Sequence, residues 1–282
     1  MIQRWSETDL QISVIIPVYN RADLVSRAID SVLAQSRPAD EVIVVDDGST
    51  DDTIGAVQRF GDRVRMIHQP HSGVSAGRNR GIRAARYDWL AFLDSDDLWK
   101  PDKLQRQCKA LQEQPDSLVC YTDEEWRKDG RWKNQSKHHQ KYSGWIYARC
   151  LPLCLISPSS VLLHRRVLEA AGLFDEQLPA CEDYDLWLRV CLRFPVLFLA
   201  ERLIVKQAGD WEQLSMQHSL DRYRIISLDK VLRQEPLFEE QRLLTIAQLV
   251  EKCRIYGLGC RKHRRDEEAL WAENMALRHK SG

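Results

Sequence analysis

The sequence predicts an α/β fold with a mostly parallel central sheet, followed by a C-terminal helical extension. Two observations lead to this prediction. Over residues 12–114, short apolar runs rich in β-branched residues alternate with segments whose apolar residues recur at helical spacing. Over residues 216–280, two or three amphipathic helical patterns follow one another. Alternating strands and helices typically form parallel sheets that helices cover on both faces.

Four strands and four helices are predicted in the first 114 residues. The strands are 12–20, 40–50, 64–69 and 87–94, and the helices are 22–36, 51–60, 73–85 and 100–114. The run "ISVIIPVYN" is typical of a buried strand, and the next segment places Val25, Ile29 and Val32 at helical spacing. Pro101 lies at the start of the fourth helix, where its missing N–H costs nothing.

The middle of the chain is less regular. The residue patterns in this part predict a strand at 118–126, a turn at 127–132, a loop at 133–145, a strand and a helix within 157–172, a helix at 181–194 and a strand at 198–207. Gly172 ends one helix, and the acidic first turn of the 181–194 helix complements the helix dipole. We expect two units, a main domain over 1–215 and the extension over 216–282.

Composition narrows the function. The chain has 41 basic and 41 acidic residues, and this zero net charge argues against a general nucleic-acid binder. Its eight cysteines include no Cys-x-x-Cys pair, so we expect reduced, mostly buried thiols rather than a zinc site. The polar N-terminus lacks a signal-peptide core, and no apolar run is long enough to span a bilayer. These features predict a cytoplasmic protein.

Three carboxylates follow the apolar run at 90–93, and they are Asp94, Asp96 and Asp97. Like charges in close proximity raise one another's pKa and cost stability unless a cation relieves them. A solvated turn is the simpler interpretation, since Asp is common where strands end. However, two other predicted strands also end in polar residues, at 19–20 and 46–47. Ligands of parallel sheets bind at this edge, so we favour a functional site.

Five stretches in order resemble the family 2 inverting glycosyltransferases, which have the GT-A fold, an αβα sandwich. They are "ISVIIPVYNR" (12–21), "EVIVVDDGSTDDT" (41–53), "GVSAGRNRGI" (73–82), "LAFLDSDDLWKPDKL" (90–104) and "EDYDLWLR" (182–189). Together they span roughly residues 10–210. The resemblance implies a nucleotide-binding part at about 10–115 and an acceptor-side part at about 116–215. Residues 212–232 resemble the C-terminal part of one bacterial subset.

The resemblance implies transfer of a sugar from a nucleotide-diphosphate donor to a saccharide or lipid-linked acceptor, in cell-envelope polysaccharide or lipopolysaccharide synthesis. It implies these donor-binding residues: Pro17, Tyr19, Asp47, Arg78, Asn79, Asp94 and Asp96. Mg²⁺ or Mn²⁺ is the expected cofactor, since carboxylate oxygens suit a hard cation that stabilises a leaving diphosphate. The expected metal ligands are Asp96, Asp97 and Asp210. Relatives often carry His where this chain has Asp210, and the alignment there is loose.

The resemblance also assigns the general base, which accepts the proton of the acceptor hydroxyl, to Asp183. Asp185 is the reserve candidate. The structural alternative is that the acidic residues only stabilise the helix N-terminus. Asp46 is expected to be structural, and no motif supports a role for His138, His139 or His218.

Three other functions are weighed against glycosyltransfer. A haloacid-dehalogenase-type phosphatase would carry a Thr after its Asp-x-Asp, which "FLDSDDLW" lacks. A nucleotidyltransferase would show a Gly-rich basic loop after the first strand, and "PVYNRADLV" has none. A non-catalytic sugar-nucleotide-binding protein would not need the carboxylates. The basic cluster at 261–265 suggests peripheral contact with the inner membrane, and a solvated helix face is the alternative.

Overall fold

The computed structural model describes Trp5 and residues 9–128, 131–133, 140–208 and 220–280. The strands in these residues are β1 (Ile12–Val18), β2 (Glu41–Asp46), β3 (Arg65–His68), β4 (Trp89–Phe92), β5 (Leu98–Trp99), β6 (Val119–Lys128), β7 (Arg131–Lys133), β8 (Val161–His164) and β9 (Leu197–Ala208). The helices are α1 (Ala22–Leu33), α2 (Thr53–Gln58), α3 (Val74–Ala84), α4 (Lys103–Glu113), α5 (Tyr147–Cys150), α6 (Arg165–Ala171), α7 (Glu182–Arg193), α8 (Leu220–Gln234), α9 (Glu239–Lys262) and α10 (Asp266–Lys280).

All nine strands join one sheet, in the order β3-β2-β1-β4-β8-β6-β9-β5, with β7 paired to β6. The first four strands of this order are parallel. Strand β8 is antiparallel to both β4 and β6, whereas β9 runs parallel to β6. The predicted α/β fold with helices after the sheet is confirmed.

The two faces of the sheet bury separate apolar clusters, because successive side chains of a strand point to opposite faces. On one face Val14 and Ile16 of β1 pack with Ile29 of α1. On the other face Ile15 of β1 belongs to a cluster that includes Trp187 of α7. Strand β1 therefore packs against helices on both faces of the sheet, as its unbroken apolar run requires.

Helix α3 lies unusually close to β1. A Cβ on Gly81 would come within 2.4 Å of Ile15 Cγ2, and one on Gly77 within 3.3 Å of Pro17 Cβ. Glycine at these helical positions lets the backbone of α3 approach the strand. This packing brings Arg78 and Asn79 to the carboxyl edge of the sheet.

The three C-terminal helices join the second cluster rather than standing apart. Ile225 of α8, Leu249 of α9 and Ala272 of α10 are buried in the same cluster as Trp187. The predicted division at 215–216 lies outside the described residues and remains a prediction. Within the described residues, no helix combines the length and apolar character needed to cross a membrane.

Several local predictions were wrong or incomplete. Strand β5 has only two residues, too few to show a pattern, and was not predicted. The turn predicted at 127–132 was too long, because β6 continues to Lys128 and β7 begins at Arg131. The 133–145 loop was predicted one residue too early, since Lys133 still belongs to β7. All eight cysteines are unpaired thiols, six of them buried, which agrees with the prediction.

Candidate active site

The parallel pairing of β1 with β2 and β4 brings three polar strand ends to one edge of the sheet. Strands β1 and β2 end level, with Val18 paired to Asp46, whereas β4 ends at Phe92, which pairs with Ile15. Tyr19, Asp47 and Asp94 therefore follow the carboxyl ends of three neighbouring parallel strands. The site is built on this edge. Its other components come from α3, α7 and the end of β9.

Arg78 of α3 bridges two carboxylates that lie far apart in the sequence. Its guanidinium donates from Nη2 to Asp94 Oδ1 and from Nη1 to Glu182 Oε1, both at 2.7 Å. The side chain is buried and lies over the ring of Phe174. Burial opposes the charge of Arg78, but the two carboxylates outweigh it and raise its pKa. The bridge joins the end of β4 to the first turn of α7.

The bridge affects its two carboxylates differently. Burial acts to raise the pKa of Asp94, yet the charges of Arg78 and Lys206 outweigh burial and lower it. At Glu182 burial is the stronger effect and raises the pKa, which Arg78 only partly offsets. Asp94 is therefore held ionised beside a fixed cation at the end of β4.

The other two carboxylates of "DSDD" have different surroundings. Asp97 is buried, and the hydroxyl of Ser159 donates to its Oδ2 at 2.7 Å. Burial raises the pKa of Asp97 well above its usual range, despite the nearby charge of Lys206. Asp96 is half-buried, and its backbone carbonyl accepts from Gln207 Nε2 at 3.2 Å. Of this pair, only the Asp96 carboxyl has substantial access to solvent.

Lys206 lies at the centre of the acidic residues, and sequence analysis did not single it out. It pairs with Trp126 across β6 and β9. Burial opposes its charge, but the carboxylates of Glu124, Asp97, Asp94 and Asp183 outweigh burial and raise its pKa. A lone Lys near the end of the apolar strand "FLAERLIVKQ" was the signal available in the sequence. Lys206 offsets part of the repulsion that the carboxylates would otherwise create.

Asp183 lies in the first turn of α7, next to Glu182 and half-exposed. Its Oδ1 accepts from the Tyr184 backbone N–H at 2.7 Å, and its Oδ2 accepts from the Cys154 thiol at 3.4 Å. The helix starts sharply because Cys181 adopts a left-handed conformation with φ of 61°. This turn directs the acidic residues towards the edge of the sheet.

Asp185, the reserve base, is fully buried. Arg189 donates to its Oδ2 at 2.7 Å, and the Lys230 ammonium of α8 donates to the same oxygen at 3.1 Å. These contacts tie α7 to α8. They give Asp185 a structural role and leave Asp183 as the exposed carboxylate of this turn.

Asp47 binds the loop that follows β3. Its Oδ1 accepts from Gln69 and the Ser72 backbone, and its Oδ2 accepts from the Gly73 backbone at 2.8 Å. His71 in this loop stacks on Tyr19, with ring centroids 3.9 Å apart. Asp47 and Tyr19, two of the predicted donor-binding residues, therefore both contact this loop.

Three further predicted residues have defined places. Pro17 is buried within β1 under α3. The Asn79 side-chain amide binds the backbone of Phe174 on both its donor and acceptor sides, and also Glu176 at 2.8 Å. Asp46 is buried against His68, as its expected structural role requires. Asp210 and the three histidines without motif support lie outside the described residues.

The described residues provide limited direct ligation for a cation. Nowhere in this part of the chain do three His, Cys, Asp or Glu side chains come together to hold a metal ion. Mg²⁺ in nucleotide sites is typically held by one or two carboxylates, and substrate phosphates and water complete its shell. The adjacent carboxyls of Asp94 and Asp96 fit that smaller requirement.

Comparison with known proteins identifies the family. The family model "Glycosyl transferase family 2" matches residues 13–171. An uncharacterized glycosyltransferase of Rickettsia typhi is 31% identical over 233 residues, which are 79% of this chain and 73% of that protein. A putative teichuronic acid biosynthesis glycosyltransferase of Bacillus subtilis, TuaG, is 41% identical over 106 residues, 36% of this chain and 42% of that protein.

Solved structures show the same fold. TarS of S. aureus, residues 1–349 in complex with UDP-GlcNAc, has a TM-score of 0.68 and 18% identity, covering 95% of this chain and 92% of that one. Relatives from Rickettsia felis, bellii and conorii are each 31% identical over 215 residues. The chain spans only about a third of their length, between 31% and 36%.

Proposed function

Because the chain belongs to glycosyl transferase family 2, we propose that it transfers a sugar from a nucleotide-diphosphate donor to an acceptor hydroxyl, with inversion at the anomeric carbon. The observation that carries this proposal is the Arg78 bridge between Asp94 and Glu182. It holds the donor edge of the sheet against the helix turn that carries the proposed base.

In the proposed reaction the acceptor oxygen attacks the anomeric carbon while the bond from that carbon to the diphosphate oxygen breaks. Asp183 accepts the hydroxyl proton as general base, which suits its half-exposed carboxylate. A single displacement of this kind inverts the anomeric centre. Arg78, which is buried, and Lys206, which is half-buried, supply fixed positive charge close to where the diphosphate leaves.

We propose that the donor lies along the edge formed by Tyr19, Asp47 and Asp94. The exposed Tyr19 ring offers a surface for the base. Asp47 would contact the base only by exchanging some of its present bonds to the 69–73 loop. Pro17 and Asn79 support this edge indirectly. Pro17 packs under α3, and Asn79 binds the 174–176 segment.

We propose Mg²⁺ or Mn²⁺ as the cofactor, with Asp96 as its main protein ligand and Asp94 beside it. When bound, the cation stabilises the negative charge of the departing diphosphate. Asp97 supports this site through Ser159, since its carboxyl is buried. The contribution of Asp210 stays a prediction.

The proposed acceptor is a saccharide or a lipid-linked saccharide of the cell envelope. The name of one similar protein supports this, since TuaG is a putative teichuronic acid biosynthesis glycosyltransferase. The TarS structure in complex with UDP-GlcNAc supports the nucleotide-sugar donor. The cytoplasmic location and the peripheral membrane contact remain predictions from the sequence.

Slow transfer to water tests the proposal without knowledge of the acceptor. We expect release of nucleoside diphosphate from one nucleotide sugar, and Asp183→Asn should lower this rate by about 10²- to 10⁴-fold while donor binding persists. NMR of the released sugar should show the anomer opposite to that of the donor, and a retained anomer contradicts inversion. Binding without turnover would favour a non-catalytic nucleotide-sugar binder, whereas pyrophosphate release from a nucleoside triphosphate would favour a nucleotidyltransferase.

A further inference from the structure

Exposed apolar side chains concentrate on the C-terminal helices. Among the described residues, ten large hydrophobic side chains are exposed, and seven of them lie at 238–277. These seven are Phe238, Leu243, Leu244, Ile255, Leu258, Leu270 and Leu277. Large exposed apolar patches typically mark an interaction site.

Helix α9 is apolar on two opposite sides. Its inner side buries Leu249, Cys253 and Cys260 against the core of the protein. Its outer side is exposed along the whole helix. This outer face comprises Glu240, Leu243, Leu244, Ala247, Glu251, Arg254, Ile255, Leu258, Arg261 and Lys262. The outer face thus combines five apolar with five charged residues, and no other part of the described chain covers it.

The outer face carries two acidic and three basic residues, and its charges are ordered along the helix. Glu239 and Glu240 lie in the first turn, and Arg261 and Lys262 lie in the last turn. In the middle, Arg254 pairs with Glu251 at 2.7 Å. Anionic membranes attract clusters of about four to eight Lys and Arg, whereas the outer face carries three basic residues against two acidic ones. The acidic first turn of one α9 helix instead complements the basic last turn of a second α9 helix that runs in the opposite direction.

We propose that α9 packs antiparallel against α9 of a second copy of this chain, about a two-fold axis near Val250 and Glu251. In this register Leu243 meets Leu258 of the second copy, and Glu240 meets its Arg261. A two-fold axis repeats each contact. We call this contact between the two α9 helices the seam. Each end of the seam therefore combines an apolar contact with an opposite-charge contact.

The surroundings of the seam agree with this register. Arg261 already binds Glu273 of α10, so α10 lies alongside the outer face. Leu270 and Leu277 lie about one turn on either side of Glu273 and are exposed at the flank of the seam. Ala247 is small and would allow close approach opposite the Arg254 stem of the second copy. The like charges of the two Glu251 side chains near the axis are offset by their Arg254 neighbours.

Sedimentation velocity over about 1–100 μM tests the association, a range typical of interfaces formed by one helix pair. We expect a species of twice the chain mass of 32.9 kDa. Leu258→Glu places a charge at both ends of the seam and should weaken dimerisation by about 100-fold or more. Because Leu258 is 57% exposed, the fold should persist, and circular dichroism checks this. Lys109→Glu, an exposed charge reversal on α4, is the matched control and should leave the dimer intact.

Cysteine pairs test the register. Ala247→Cys combined with Arg254→Cys places two thiols opposite each other across the axis, and mild oxidation should give a crosslinked dimer on non-reducing gels. Ala247→Cys alone should not crosslink, because the two copies of position 247 lie about 10 Å apart along the seam at ~1.5 Å per residue, beyond disulfide reach. The wild type measures the background from native cysteines.

Three results would overturn the proposal. A wild type that remains monomeric at about 100 μM, the upper end of the range expected for one helix pair, excludes the second copy as partner. A dimer that Leu258→Glu leaves unchanged places the interface elsewhere. A monomer that sediments with phosphatidylglycerol–phosphatidylethanolamine vesicles, and no longer does so as Leu258→Glu, assigns the outer face to a membrane.

Discussion

Replacing Arg78 by Met tests how the two halves of the site are held together. The change removes one buried guanidinium that binds Asp94 and Glu182, residues that the chain separates by 88 positions. Met has a similar length and fills much of the same volume. The two carboxylates remain, now without their shared cation.

The structure sets the size of the effect. Removing one partner of a buried ion pair costs about 3–5 kcal/mol, because it leaves uncompensated buried charge. Here one group serves two carboxylates, so we expect a loss near the upper end of that range. The loss should shrink below about pH 4, since Asp94 has a lowered pKa in the folded protein and its stabilisation disappears as the pH falls through the acid range.

Urea denaturation at pH 7 and at about pH 3, below the ordinary pKa of an Asp side chain, measures the loss. Arg80→Met is the matched control, because Arg80 is exposed on the same helix and should change stability by less than about 0.5 kcal/mol. If Arg78→Met does not fold, Arg78→Lys keeps the charge but cannot bridge both carboxylates and should lose about 1–3 kcal/mol. A loss below about 1 kcal/mol for Arg78→Met, or one that is equal at both pH values, would refute the bridge.

Three further predictions concern stability. Burial lowers the pKa of Lys103 to about 7, from 10.5 in the unfolded chain. Between these pH values the unfolded chain binds more protons, so the stability of the wild type rises from pH 7 to 10. Lys103→Met should remove about 4 kcal/mol of that rise, measured by urea denaturation at stepped pH. Burial acts to raise the pKa of Glu124, but two lysines outweigh it and lower the pKa to about 2. Stability from this group is therefore present above about pH 4.5 and lost towards pH 2, and Glu124→Gln should flatten that acid limb by about 3 kcal/mol. Gly81→Ala should cost about 1–3 kcal/mol in thermal unfolding because its Cβ would meet Ile15 at 2.4 Å, whereas Gly259→Ala, with open space around it, should not destabilise.

Much of the carboxyl edge of the sheet, where we propose that the donor binds, was predictable because patterns among neighbouring residues encode it. The apolar runs before Asp47 and Asp94 predict strands, and parallel strands bring their ends together whatever lies between them. The helix that carries Asp183 was likewise visible from its acidic first turn and apolar spacing. In each case the decisive information lies within a short stretch of neighbouring residues.

The remaining features depend on contacts between distant segments. Nothing near Arg78 in the sequence indicates that it pairs with Glu182, which lies 104 residues away. The amide of Asn79 likewise binds a segment 95 residues further on. Lys206 enters the site only because β9 lies beside β6 in the sheet. Such pairings are decided by tertiary packing, which residue spacing alone does not reveal.

We propose that Asp94 and Asp96 at the carboxyl edge of the sheet, together with Arg78 of α3, bind a nucleotide-diphosphate sugar. Thermal unfolding with UDP, GDP, CMP and dTDP compounds, each with and without Mn²⁺, tests it most directly, since a ligand of the native state raises the melting temperature. We expect a shift with one nucleotide that requires Mn²⁺ and is lost in Asp96→Ala. A folded protein whose melting temperature no nucleotide raises, with or without the metal, would contradict it.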